Sequence, residues 1–278
     1  MARWWITAFS TRSSNSLMDV LEIRNLRFTY HNKAGETHAV DDLSFRVEEG
    51  QFVGLIGPSG CGKTTILNLL AGIYRPSEGE ILLRGEPLSR AAGKIALMPQ
   101  RDQLFEWRTI EKNVLLGPEI TRTKTRDTAK DALRLLEKYG LGDAVKKHPS
   151  ELSGGMRQRV ALIRTLMLRP DVLLLDEPFS ALDFQTRLRV CDDVYSIIKQ
   201  EKKTALLVTH DINECISLCD KAVVLTQRPA SVRGEIRIDL DKRLSPLKRR
   251  ESPDFGRYFE KILKTLEEEN DRGTQTVP

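Results

Sequence analysis

Gly57-Pro58-Ser59-Gly60-Cys61-Gly62-Lys63-Thr64-Thr65 decides the fold of this chain. The run matches G-x-x-x-x-G-K-[ST], and its flanks give that pattern physical meaning. Before it, Phe52-Val53-Gly54-Leu55-Ile56 is a short apolar run that predicts a buried strand; after it, Thr65 to Ala71 predicts a helix. A glycine-rich strand-to-helix turn lets successive backbone N–H groups converge on one anion, and the helix N-terminus adds its partial positive charge. The pattern assigns Gly57 to Gly62, with Pro58, Ser59 and Cys61, to a phosphate cradle. It sends Lys63 to β- and γ-phosphates, Thr64 to Mg²⁺ and Thr65 to a neighbouring phosphate oxygen.

A second constellation stands at Asp171-Val172-Leu173-Leu174-Leu175-Asp176-Glu177-Pro178, an apolar run ending in two carboxylates and stopped by proline. It predicts a central parallel strand. Adjacent side chains on a strand point to opposite faces, which frees Asp176 for the magnesium shell and Glu177 for the attacking water. A carboxylate in that position acts as a general base, an effect worth on the order of 10²–10⁴ in rate. Alone the Asp-Glu pair reads equally as a solvated strand end; beside the phosphate loop it does not.

Between the two lies Glu151-Leu152-Ser153-Gly154-Gly155-Met156-Arg157-Gln158-Arg159-Val160-Ala161-Leu162-Ile163-Arg164. Ser153 is placed as a helix cap, with two glycines leaving N–H groups free, and Val160, Ile163 and Leu166 recur at helical spacing. The chain therefore carries a second anion-binding helix end. One mononucleotide does not need two such cradles from one chain, so the second serves a nucleotide held by a partner copy.

Leu152-Ser153-Gly154-Gly155-Met156-Arg157-Gln158 resembles the signature of ATP-binding cassette proteins, and the rest of that family's set is present in order over roughly residues 20 to 240. The resemblance implies an α/β fold: a P-loop NTPase core with a largely parallel sheet, an N-terminal antiparallel β portion and an inserted helical subdomain. It implies that Tyr30 stacks on adenine, an interaction worth roughly 1–3 kcal/mol in nucleic-acid sites. Gln100, after the strand-like Lys94 to Met98, matches the loop glutamine that contacts magnesium and water and senses the transport domain. Ser180-Ala181-Leu182-Asp183 matches the loop crossing the dimer interface, and His210 matches the histidine on the γ-phosphate. Taken singly, Tyr30 reads as an edge-strand aromatic, Gln100 as a loop polar residue and His210 as a strand-end histidine. Their order and context overturn those readings.

The same resemblance implies a head-to-tail homodimer with two ATP molecules and Mg²⁺. Each nucleotide meets the phosphate loop of one copy and Ser153, Gly154, Gly155 and Gln158 of the other. Asp183 lies at the crossing. The implied partners are an integral membrane permease and, indirectly, an extracytoplasmic substrate-binding protein, with no nucleic acid. The implied place is the cytoplasmic face of the membrane. Trp107-Arg108-Thr109-Ile110 after the loop glutamine resembles bacterial importers of the nitrate, sulfonate and taurine group; importers of pyrimidine precursors are the alternative, and a soluble cassette without a transport role a further one. Phe105 and Trp107 read either as exposed anchors for a permease helix or as core of the helical subdomain.

The remaining sequence bounds this reading. At 278 residues with 40% hydrophobic content, the chain has room for one cassette. Lys63 and Ser153 lie too close in sequence for a long heptad insertion, which argues against the DNA-repair relatives. No stretch approaches the roughly 20 apolar residues that cross a bilayer. Cys61, Cys191, Cys215 and Cys219 show no zinc spacing and read as reduced thiols, with Cys215 and Cys219 packing in the core. A net charge of +5 fits phosphates and a membrane surface but does not argue for nucleic acid. We expect residues 1–18 to be a disordered extension, with Met18 a second candidate start. Residues 19–240 are expected to form the nucleotide-binding domain, with its helical subdomain at about 101–165 and an amphipathic helix there ending at Tyr139-Gly140. Residues 241–278 are expected as a basic linker, an amphipathic helix and a disordered tail. In that helix Phe255, Tyr258, Phe259, Ile262, Leu263 and Leu266 fall on one face.

Overall fold

The computed structural model describes residues 19–32, 35–91 and 93–267; the expected extension 1–18 and the tail after 267 lie outside the described residues. An antiparallel sheet opens the chain, with β1 (Asp19–Asn32) and β2 (Gly35–Glu48) paired along most of their length. After β3 (Phe52–Ile56) and α1 (Lys63–Leu70), β4 (Glu78–Leu83) and β5 (Glu86–Pro87) complete it in the order β2-β1-β4-β5. The second sheet takes β3, β6 (Ile95–Met98), β7 (Val172–Asp176), β8 (Thr204–Thr209), β9 (Lys221–Leu225) and β10 (Val232–Arg237) in the order β10-β9-β3-β8-β7-β6. All of its pairs are parallel except β10 with β9.

A parallel sheet covered on both faces needs strands that are apolar throughout, and this is why β3 and β8 are buried at every position. One face packs on α1 and on the inner residues of the antiparallel sheet, such as Ile23, Leu43 and Phe45. The other face packs on α6 (Phe184–Gln200) and α7 (Ile212–Leu218). Gly54 in β3 permits the approach of α7: a Cβ there would lie 2.4 Å from Cys215 Sγ and 3.0 Å from Cys219 Sγ. All four cysteines are free and buried.

Between β6 and β7 the chain forms α2 (Ile110–Val114), α3 (Leu116–Ile120), α4 (Arg126–Lys138) and α5 (Gly154–Leu166). Leu104, Ile110, Val114, Leu136, Val160 and Ile163 make a separate apolar cluster there. Gly140 comes just after α4 at φ 70°, the left-handed stop that a glycine allows. α5 serves two cores at once, since Ala161, Leu162 and Leu166 face the sheet.

The C-terminal segment differs from the expected linker. α8 (Pro246–Arg249) lies inside the basic stretch, and α9 (Phe255–Glu267) packs Ile262 into the main core. Arg249 is 1% exposed: its Nη1 donates to the Ser217 carbonyl at 3.1 Å and its Nη2 to Tyr195 Oη at 2.6 Å, with the guanidinium over the Tyr195 ring. A run of Lys and Arg reads as solvated because its partners here are 32 and 54 positions away. Among the described residues no helix is long and apolar enough to cross a membrane.

Candidate active site

β3 delivers the chain into the phosphate loop, and three glycines shape it for different reasons. Gly57 is hemmed in, since a Cβ would lie 2.9 Å from Leu225 Cβ; Gly60 turns at φ 77°; Gly62 caps α1 at φ 119°, 2.9 Å from the Ala39 carbonyl oxygen by the same measure. Ser59, Gly60 and Thr64 are exposed, whereas Cys61 and Lys63 are buried. Lys63 Nζ donates to the Gly57 and Pro58 carbonyls, each at 2.8 Å. Thr65, expected to reach a phosphate oxygen, is buried, and its hydroxyl pairs with Tyr30 Oη at 3.0 Å. That bond ties the aromatic side chain to the phosphate-loop helix. The Tyr30 ring stands edge-on to Phe28 and Tyr74.

At the end of β7 the pleat is not what separates the two acids. The strand stops at Asp176, and Glu177 takes a left-handed conformation at φ 42°, which costs a non-glycine residue about 1–3 kcal/mol. Its N–H is held by the Val208 carbonyl of β8 at 2.9 Å, and the buried Phe179 anchors the next turn. Glu177 Oε2 consequently lies 3.2 Å from Nδ1 of the exposed His210. Ser180 Oγ donates to the Glu177 carbonyl at 3.0 Å and accepts from Gln100 Nε2 at 3.1 Å. The structure thus brings Gln100, Glu177 and His210 together around Ser180. Burial pushes the Asp176 carboxyl up, and the Glu177 charge adds to this; the Lys63 ammonium opposes both.

The second helix end is built differently. Ser153 caps α5, its Oγ accepting from the Met156 N–H at 3.4 Å, and Ser153 and Gly154 are exposed. Gly155 is buried against α6, where a Cβ would lie 2.8 Å from Val190 Cγ2. Gln158 does not join Ser153 and Gly154 at the surface: it is 4% exposed, because one helical turn further it shares the inward face. Its Oε1 is buried and has no hydrogen bond. Asp183 caps α6, accepting from the Thr186 N–H at 3.1 Å, and its contacts are local.

Sequence reasoning missed the ties between these parts. Arg157 on α5 makes two hydrogen bonds to the Asp102 carboxylate, at 2.8 and 3.1 Å, and Arg164 donates to the Asp102 and Gln103 carbonyls at 2.6 and 2.7 Å. Burial pulls the Arg164 guanidinium below its ordinary value. The segment after Gln100 is therefore strapped to the signature helix; two arginines seven apart on one helix face were the available signal. Leu104 enters the helical core, while Trp107 is 76% exposed and stacks on Phe105 with ring centroids 4.8 Å apart.

A strand feeding a glycine loop into a helix, one strand removed from a second strand that ends in a strained acidic pair, defines a P-loop nucleoside triphosphatase. Comparison with known proteins narrows that class. The family model described as ABC transporter matches residues 40–180. An uncharacterized ABC transporter ATP-binding protein of Bacillus subtilis, YtlC, is 44% identical over 250 residues, covering 90% of this chain and 96% of that one. The taurine import ATP-binding protein TauB of Roseobacter denitrificans is 37% identical over 255 residues, covering 90% and 94%. Among solved structures, the dimeric post-hydrolysis state of the ATP-binding cassette MJ0796 bound to ADP and Pi superposes with a TM-score of 0.66 at 28% identity, covering 78% of this chain and 98% of that one. The chain belongs to the ABC transporter family and is an ATP-binding, ATP-hydrolysing member of it.

Proposed function

We propose that this protein is the ATPase subunit of a bacterial importer and works as a head-to-tail homodimer on the cytoplasmic face of the membrane, beside a separate permease. The observation that carries this reading is the open signature end. Ser153 and Gly154 face solvent, and the side chain against Gly154 on its own chain, Leu182, is none of those around the phosphate loop. A second copy is what supplies a nucleotide there. Residues 19–240 then act as the cassette, with about 101–165 as its helical arm.

In that dimer the loop from Gly57 to Gly62 and Lys63 hold the phosphates, and Tyr30 lies against adenine. Thr64, Gln100 and Asp176 suit Mg²⁺: all three offer oxygen ligands, and a dication offsets the burial and like charge that disfavour the Asp176 carboxylate. When bound, the ion would supply positive charge that offsets that of the phosphates. Glu177 takes the proton of the attacking water, oriented by His210 at 3.2 Å. His210 and Gln100 meet the γ-phosphate end. Binding of ATP favours the closed dimer because the nucleotide touches both halves, and hydrolysis removes that preference.

The stacked Phe105 and exposed Trp107 are the anchors for a permease helix, since neither enters the helical core. Motion there reaches Ser153 through the Asp102–Arg157 tie. The cargo class that the taurine importer relative and the Trp107 to Ile110 stretch favour is a small nitrate-, sulfonate- or taurine-like anion, handed over by an extracytoplasmic binding protein.

The test is the mass of the Glu177→Gln chain by size-exclusion chromatography with light scattering. We expect a monomer without nucleotide and a dimer with ATP. A monomer in both conditions, also in the presence of detergent-solubilised permease, overturns the head-to-tail reading.

A further inference from the structure

Directly behind the Glu177–His210 pair lies a cavity of about 50 Å³ lined by Glu177, Ser180, Arg187, Thr209, His210 and Glu214. Three of these, Arg187, Thr209 and Glu214, have no part in the chemistry described above. Glu214 is 4% exposed, a carboxylate buried at the first turn of α7. Its Oε2 accepts from Thr209 Oγ1 at 2.7 Å, and the same Thr209 Oγ1 accepts from the Asp211 N–H at 3.0 Å. Both residues flanking His210 are thereby bound into one small network.

Arg187 reaches this network from the other side. It stands one turn into α6, and its Nη2 donates back to the Leu182 carbonyl at 3.2 Å. Its Nη1 lies 3.8 Å from Asp211 Oδ2 and its Nε 4.0 Å from Glu214 Oε1. The Nε–H is buried with no hydrogen bond, a donor left 4.0 Å from a carboxylate oxygen that could accept it. The far end of α7 is pinned, since Arg249 and Arg250 both donate to Ser217. α7 is thus fixed at its C-terminal end, and the placement of its N-terminal end, which carries His210, depends on what holds Asp211 and Glu214.

We propose that Arg187 is a positioning residue for hydrolysis. Through Glu214 and Asp211 it ties the loop Ser180–Asp183, which a second copy would meet, to the segment that sets His210 against Glu177. When that loop is seated, the guanidinium closes on Glu214 and the His210 ring is held in its working place. When the loop is free, His210 keeps its 61% exposure and the pair is loosely set. This inference rests on the assignment of Glu177 and His210 to hydrolysis.

The test is steady-state ATP hydrolysis by the full chain for Arg187→Met, Glu214→Gln, the double variant and Arg187→Lys, with melting midpoint and ATP affinity measured alongside. Arg187→Met is expected to lower kcat roughly tenfold or more with KM within about twofold, the pattern of an interaction that matters after binding. The double variant should be no slower than Arg187→Met, because residues acting through one another are not additive. Arg187→Lys, which still reaches the Leu182 carbonyl, should recover most of the rate. Wild-type kcat in Arg187→Met overturns the proposal. So do fully additive losses, or a loss that tracks a collapsed melting midpoint and is not rescued by lysine. Glu177→Gln serves as the control: if it retains turnover, the catalytic reading itself fails, whereas a silent Glu177→Gln beside a normal Arg187→Met removes this inference alone.

Discussion

The two glycine-rich helix starts of this chain, at α1 and at α5, look alike in sequence and are built for opposite purposes. The α1 start is packed on its own chain while Ser59, Gly60 and Thr64 stay exposed: a Cβ at Gly62 would lie 2.9 Å from the Ala39 carbonyl oxygen, Lys63 is 7% exposed and Thr65 is bonded to Tyr30. The α5 start leaves Ser153 and Gly154 in solvent and buries only Gly155. A helix start that folds around its own lysine is half of a site that one chain can load. A helix start that is left open is, on the proposed reading, the complement that a second chain needs. Hydrolysis that requires both is silent until two copies meet.

The largest expected effect falls where neither start acts alone. Glu177→Gln should lower turnover by about 10²–10⁴ while leaving ATP affinity unchanged, since a general base is lost and no phosphate contact is. Hydrolysis assays beside nucleotide titration decide it, and wild-type turnover would remove Glu177 from the mechanism. Lys63→Ala comes next, with ATP affinity reduced roughly 10- to 100-fold, the range of one charge-assisted hydrogen bond. An unchanged affinity in equilibrium titration would break the assignment of α1 as the loading half.

Gly154→Asp probes the other start. The new carboxylate at the first turn of α5 favours the helix by about 0.3–1 kcal/mol through its dipole, and its Cβ, 3.1 Å from Leu182 Cδ2, asks only the end of that side chain to shift slightly. Facing a triphosphate it repels, and like charges brought together across an interface cost several kcal/mol. Turnover should therefore fall roughly 10- to 100-fold with monomer ATP affinity intact. Mixing Gly154→Asp with Lys63→Ala chains sharpens the comparison. In a head-to-tail dimer of one of each, one site has both halves wild type, and activity should return on mixing. No return would mean that the two starts serve the same chain.

The legibility of each feature in the sequence depends on how local its signal is. The strand before Gly57, the helix after it, which begins at Lys63 rather than Thr65, and the Ser153 cap depend on contiguous residues and stand as the sequence predicts; the largely parallel core follows what the family resemblance implies. The left-handed turn at Glu177 was not legible, because glutamate rarely takes φ 42° and only the Val208 carbonyl and the buried Phe179 hold it there. The bond between Thr65 and Tyr30, the Asp102–Arg157 tie and the burial of Arg249 all join distant positions. Gln158 illustrates the same limit within a motif: the spacing put it near the signature, and helix periodicity turned it inward.

The smallest effect separates the two starts by stability rather than rate. Asp176 sits beside the α1 start with its carboxyl pushed up by burial and by Glu177, against the pull of Lys63. An acid whose folded pKa lies above its unfolded value of 3.8 binds protons more readily in the native state, so stability falls as pH rises through that window. The penalty is absent well below pH 3.8, where both states are protonated, and grows as pH rises until the folded carboxyl is ionised as well. Asp176→Asn removes the charge and keeps the shape. The nucleotide-free variant should melt a few degrees above wild type at pH 7, at about 2–4 °C per kcal/mol for a domain of this size, with the gain shrinking toward acid. Saturating Mg²⁺ and ATP should reverse the order, since the native protein that binds ligand more tightly gains more from it. Ser153 carries no ionisable group, so Ser153→Ala should instead lose about 1 kcal/mol at every pH through its cap. If Asp176→Asn melts lower than wild type at pH 7 without nucleotide, the α1 start carries no stored charge penalty, and the two starts differ in geometry alone.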